Sequence, residues 1–270
     1  MSGRLVPGLV SITFRQFGVA EVLDLMTRAG LRAVEWGGDA HVPAGDIEAA
    51  RRTAELSAAA GIEVAAYGSY YRAGDDDPEA FEPVLRTAVA LGAPRIRIWA
   101  GTVGSAEAGP AVRERVAADL RRIAGLAAGH GVGIAVEHHP NTLTDTLETA
   151  LELYAAAGHP GVRPYWQPRV GQDVTSCLAE VTALLPSLVT AHVFTWAADG
   201  ERLALADGAE LWEPTLATLA GADEHGAGAG DGARYALLEF VRGDDPAAFL
   251  DDAATLHGWL AALPPESVRG

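Results

Sequence analysis

A chain of 270 residues with 49% hydrophobic and 21% charged side chains is a globule with a full core, sized for one large α/β domain or two small ones. Its formal charge of −16, from 36 acidic and 20 basic residues, argues against nucleic acid or an anionic membrane as partner. All 20 basic residues are arginine, so chemistry that needs a lysine amine, Schiff-base formation above all, is excluded.

The N-terminal stretch MSGRLVPGLVSITFRQF is a short apolar run interrupted by Pro7, Ser11 and Thr13. It reads as a first strand near 9–14 rather than a signal peptide, which makes the cytoplasm the default location. No apolar run approaches the roughly 20 residues of a membrane span. Further strand-like runs lie near 33–36, 63–67, 95–99, 133–137, 162–167, 188–194 and 235–240. Helical patterns rich in Ala and Leu separate them, and a last one runs from about 246 to 263. Gly30, Gly61, Gly92, Gly131 and Gly158 each stand where a helix would stop and a strand begin. Asp77-Pro78 and Asp245-Pro246 mark helix starts, and Asp46 and Asp145 read as further caps. Cys177 is the only cysteine, so there is neither an internal disulfide nor a thiolate metal cluster.

Alternating βα units imply a parallel sheet, and eight of them fit a closed (β/α)8 TIM barrel occupying 1–270 as a single domain. A doubly wound open sheet is the rival, but SITFRQFG after the first strand is no glycine-rich phosphate loop. The connection from 197 to 234 is long. Its part around Glu210 to Leu219 reads as a short helix, and the Gly/Ala stretch from Gly221 to Gly232 as a flexible lid or surface loop.

In such a barrel the strand ends converge on one mouth. Glu137, Gln167, His192 and Glu239 stand at the ends of GIAVE, VRPYWQ, LVTAHVF and YALLEF. Two carboxylates, an imidazole and an amide converging there suit one hard divalent metal. Gln167 is uncharged, so two glutamates just neutralise the ion; alternatively Gln167 bonds only substrate, and His139 or water completes the ligand set. A mixed oxygen and nitrogen set suits Mn²⁺, the expected ion, or Mg²⁺, Co²⁺ or Zn²⁺. Trp36, Trp99, Trp166 and Trp196 fall at or just beyond strand ends, where an indole face can pack on a sugar. His41, His139, Arg15 and Tyr70 join them as candidate substrate contacts. Glu35 is expected to orient substrate or pair with Arg15.

The stretches VEWGGDAHVP, GSYYRAG, IRIWAG, EHHPNTLTDT and HVFTWAADGERLALADG resemble the sugar phosphate isomerase/epimerase family with the xylose isomerase-like TIM barrel, over essentially the whole chain. The resemblance implies a divalent metal held from strands five to eight by Glu, Asp, His and Glu, which fall here on Glu137, Gln167, His192 and Glu239. It departs at Gln167, in place of the family aspartate, at Val170, in place of a histidine, and after His192, where the epimerase arginine has no match. A homodimer or homotetramer is implied in the same way.

The expected activity is a metal-dependent keto-sugar isomerase or epimerase, acting by α-proton transfer through an enediolate with Glu137 and Glu239 as its acid and base. A lyase or dehydratase on a 3-keto sugar or glycoside shares the first step. A sugar-binding barrel without metal or catalysis is the third possibility.

Overall fold

Eight short parallel strands close on themselves, each paired with its neighbours in sequence, and the last returns to the first. The structure, a computed structural model, describes residues 4–221 and 233–263. The strands are β1 (Arg4–Val10), β2 (Ala33–Gly37), β3 (Glu63–Arg72), β4 (Arg95–Trp99), β5 (Gly133–Glu137), β6 (Val162–Trp166), β7 (Thr190–Val193) and β8 (Ala233–Leu238). The helices between and after them are α1 (Val19–Ala29), α2 (Ile47–Ala59), α3 (Phe81–Leu91), α4 (Pro110–Ala128), α5 (Leu147–Ala157), α6 (Val174–Leu184), α7 (Ala209–Gly221) and α8 (Pro246–Ala262). This is the expected (β/α)8 barrel. No helix among the described residues is long and apolar enough to cross a membrane.

The glycine punctuation performs as its chemistry requires. Gly92, for example, takes φ 71° at the end of α3 and turns its N–H back onto the carbonyls of Ala88 and Val89. Asp46 and Asp245 cap α2 and α8, accepting from the N–H groups of Ala49 and Ala247. Asp145 does not cap α5; Thr146 does, by accepting from the Thr149 N–H, while Asp145 accepts from the Ser105 N–H. Asp173 caps α6 through the Ser176 N–H.

The first strand is displaced from its expected place. β1 begins at Arg4 and ends at Val10, and Ser11–Phe14 form a 3₁₀ turn. Pro7 and Gly8 look like strand breakers, yet both lie inside β1. Gly8 is needed there, because a Cβ would sit 2.1 Å from the Ala33 carbonyl oxygen and 2.7 Å from the Leu237 side chain. The 197–234 connection contains a bridge between Trp196 and Arg202 and a 3₁₀ turn at Leu205–Gly208, followed by α7. Of its Gly/Ala stretch, residues 222–232 lie outside the described residues.

Strand alternation sorts the side chains. One set, including Val34, Trp36, Ile96, Ile98, Ile134, Val136, Trp166 and Leu238, packs outward with the helices in the main core. Two small apolar groups fill the barrel itself: Val6, Val10, Ala33, Ala65, Tyr235 and Leu237, and Ala66, Ala135, Tyr165 and Val189. The same inward parity puts Glu35, Arg97, Glu137, His192 and Glu239 above those groups, at the C-terminal mouth.

Candidate metal centre

Arg97 organises the mouth. It is 2% exposed and has a carboxylate on either side. Its Nε donates to Glu35 Oε1 at 3.1 Å, and its Nη1 lies 3.2 Å from Glu137 Oε2 and donates to the Ser69 carbonyl at 3.2 Å. Gly68 makes room for this pair: a Cβ there would meet Glu35 Oε1 at 2.5 Å and Arg97 Nη2 at 3.0 Å. Glu137 Oε2 also accepts from Trp99 Nε1 at 2.5 Å. One oxygen of Glu137 is thus held by the Trp99 indole N–H and ion-paired with Arg97, and the other lies 3.4 Å from His192 Nδ1.

His192 stands among three acids. Its Nδ1 is 3.4 Å from Glu239 Oε2 as well, and its Nε2 is 3.6 Å from Glu35 Oε2. Glu137, His192 and Glu239 each offer a ligand atom, all within 4.8 Å of one another, and could hold a metal ion. Glu35 Oε2, Glu239 Oε2 and both His192 ring nitrogens are buried without a hydrogen-bond partner. Buried polar atoms of this kind need a ligand or a proton. Three carboxylates, one guanidinium and a neutral imidazole leave two formal negative charges, which one divalent cation balances. The donor set therefore fits such an ion.

The electrostatics separate the two ligand carboxylates. Burial alone would raise Glu137, but Arg97 and then His192 hold it far below the usual range. Glu35 is lowered in the same way, Arg97 opposing its burial. Burial pushes Glu239 up to about 7; His192 pulls it down, and Glu137 adds to the rise. His192 is held well above its ordinary value against its burial, by Glu239 first and then Glu137 and Glu35. Groups this close titrate as a set.

Gln167 follows the end of β6. Its Nε2 donates to the His138 carbonyl at 3.0 Å, which orients the amide, and its Oε1 is buried without a partner. His139 packs its ring against Trp99, with centroids 4.8 Å apart, and directs Nδ1 to the Pro140 carbonyl at 2.8 Å. Tyr70 sets its ring edge-on to Trp99 at 5.4 Å and accepts from Arg15 Nη2 at 2.9 Å. Arg15 is paired with Asp39 at 2.8 Å. Across the mouth, Trp196 packs against Phe194 and Phe240, at 5.1 and 5.5 Å.

Four expectations are corrected. Trp36 is fully buried on the outer face of β2 and donates to Ser57 of α2, so it walls no substrate. Trp166 is equally buried on the outer face of β6, where it donates to Glu180 of α6 and packs on Trp212. His41 is bound at both nitrogens, to Ser11 Oγ at 3.0 Å and to the Phe17 carbonyl at 3.1 Å; it ties two loops together. Glu35 pairs with buried Arg97, not with Arg15. Arg97 itself was not a candidate from sequence. Its signal was the alternation in RIRIW, which gives Arg95 and Arg97 one inward face.

The model of a family described as xylose isomerase-like TIM barrel matches residues 23–210. A 3-dehydroshikimate dehydratase from Bacillus anthracis is 41% identical over 69 residues, which is 26% of this chain and 25% of that protein. The matched stretch thus spans about a quarter of that relative's length. The crystal structure of a probable 3-DHS dehydratase from Bacillus anthracis aligns with TM-score 0.70 at 21% identity, over 94% of this chain and 98% of that one. A D-allulose 3-epimerase from Methylomonas sp. aligns with TM-score 0.65 at 15% identity, over 96% and 99%. At these identities the two structures attest the fold. The family match covers well over half of the sequence, and the chain belongs to the xylose isomerase-like TIM barrel family.

Proposed function

We propose that this barrel is a divalent-metal-dependent enzyme that isomerises a small keto-sugar-like substrate by moving a proton α to its carbonyl, with Glu239 as the group that carries the proton. The observation behind this reading is the unequal tethering of the two carboxylates. Glu137 Oε2 is fixed by Trp99 and Arg97, whereas Glu239 Oε2 is buried with no hydrogen-bond partner. A carboxylate already bonded to an indole N–H and a guanidinium is a poor base and a good anchor. One without such donors, in the same dry site, is the better base.

Glu137, His192 and Glu239 are the ion's proposed ligands, with the free Oε1 of Gln167 as a fourth. When bound, the ion supplies electrostatic stabilisation to the negative charge that develops on the carbonyl oxygen. Glu239 takes the α-proton, and the C–H electron pair becomes the carbon–carbon double bond of an enediol(ate). Returning that proton to the adjacent carbon on the same face, while the α-hydroxyl gives up its proton to the former carbonyl oxygen and becomes the new carbonyl, completes an isomerisation. Epimerisation requires a second base on the opposite face, and the tethering of Glu137 counts against it in that role.

Dehydration is the second reading, supported by the stretch shared with the 3-dehydroshikimate dehydratase. The first step is common to both. The electron pair then expels a β-hydroxyl, which leaves as water with the proton held by Glu239.

The test is solvent exchange. Metal-loaded protein in D₂O, screened by NMR against ketoses, keto-glycosides and 3-keto polyols, is expected to deuterate the α-carbon of one class. Glu239→Gln should abolish that exchange while the ion stays bound; Glu137→Gln should lose the ion. Full exchange in Glu239→Gln would refute the assignment. Metal content below about 0.1 per chain after growth with manganese, with no gain on addition, would favour a non-catalytic sugar-binding barrel.

A further inference from the structure

We propose that Arg72 anchors a carboxylate carried by the substrate, so that the enzyme acts on a polyhydroxy or keto acid and not on a neutral sugar or a phosphate ester. This rests on the reading above only in placing the substrate at this mouth.

Arginines surround the mouth, but most are already neutralised. Arg15 pairs with Asp39, Arg115 with Asp75, Arg169 with Glu180 and Arg202 with Asp244. Arg97 is shared by Glu35 and Glu137. Arg242 forms no ion pair among the described residues, but it is exposed and lies over no ring that would hold it at the mouth. Arg72 has no carboxylate partner among the described residues. Its guanidinium lies over the Trp99 ring, 5.0 Å from the centroid. That indole donates to Glu137, so Arg72 is one indole away from the proposed ion.

Its position is also fixed in advance. Arg72 closes β3 in register with Trp99. Its backbone N–H donates to Asp76 Oδ2 at 2.8 Å, and the following residue, Ala73, donates to the Trp99 carbonyl. A guanidinium seated on an indole is partly ordered before any ligand arrives, and its fork matches a carboxylate bidentately.

Charge selects the class of ligand. With a divalent ion bound, the buried set is neutral and Arg72 contributes one positive charge at the mouth. That matches a carboxylate. A phosphate monoester carries between one and two negative charges at neutral pH and calls for a further cation or a backbone cradle.

Isothermal titration of the Mn²⁺-loaded full chain with D-gluconate, quinate, D-fructose and D-fructose 6-phosphate tests this. At least one carboxylate should bind the wild type more tightly than fructose or its phosphate. Arg72→Gln should weaken it by about 10- to 100-fold and leave fructose unchanged, with Arg72→Lys intermediate. Unchanged carboxylate affinity in Arg72→Gln, tighter binding of the phosphate ester, or no carboxylate binding below about 10 mM would each overturn the proposal. The outcomes separate it from the reaction reading. Carboxylate binding that depends on Arg72, without α-proton exchange in any substrate, keeps this anchor and removes the chemistry. Exchange with an Arg72-independent affinity does the reverse.

Discussion

Replacing Arg97 by methionine, close to it in length but neutral, isolates the electrostatic frame of the mouth. The guanidinium serves two buried anions at 3.1 and 3.2 Å, and its loss leaves Glu35 with only His192 nearby. Breaking a buried pair in this way costs about 3–5 kcal/mol. The cost has a ceiling, because a carboxylate left without a counter-charge takes up a proton instead. From an unfolded value near 4.3, that uptake costs about 5 kcal/mol at pH 8 and about 2 kcal/mol at pH 6. The sign follows from the shifts. In the native protein Arg97 lowers Glu35 and Glu137, so their contribution is complete above about pH 4.3 and is lost as the pH falls through their folded values. In Arg97→Met one of them is raised, so stability falls as the pH climbs from about 4.3 towards the new folded value. The gap between the two proteins should therefore widen with pH, by up to about 1.4 kcal/mol per unit. Urea denaturation at pH 6, 7 and 8 with EDTA present measures it. Adding Glu35→Gln to Arg97→Met should recover about 2 kcal/mol or more at pH 8. A gap under about 1 kcal/mol at pH 8, or one flat across the range, would refute the argument.

Gln167→Asp places a third carboxylate beside the proposed ion; Mn²⁺ titration should show affinity raised by about tenfold or more, and no gain would remove residue 167 from the ligand set. Gly8→Ala forces a Cβ to within 2.1 Å of the Ala33 carbonyl oxygen, which is backbone and cannot swing aside. The variant should lose about 3 kcal/mol in urea unfolding, and a loss below about 0.5 kcal/mol would mean that β1 and β2 part easily.

Much of the barrel was legible because glycine and the caps punctuate it. The helix-ending glycines and the capping residues Asp46 and Asp245 act locally, within a turn of their own position, and local chemistry reads directly from sequence. β1 departs from the strand expected near 9–14 for the complementary reason. Gly8 lies inside a strand only because β2 and β8 approach it, and that approach is tertiary.

The tryptophans obey a rule that the sequence itself carries. In a strand, neighbours face opposite sides. Trp36 follows Glu35, and Trp166 precedes Gln167; if the polar residue faces inward, the indole faces the helices. Trp99 stands two residues beyond Arg97 and shares its inward parity, and of the three it alone bonds a site carboxylate. The difference between Glu137 and Glu239 has no such local signal. Both close apolar strands, and the sequence alone gives them equivalent acid/base duties. What separates them is register: β4 runs beside β5 with Arg97 opposite Ala135, which brings Arg97 and Trp99 to Glu137. No matching pair of donors meets Glu239 Oε2. The distinction on which the proposed chemistry turns is therefore a property of strand pairing, created only when the barrel closes.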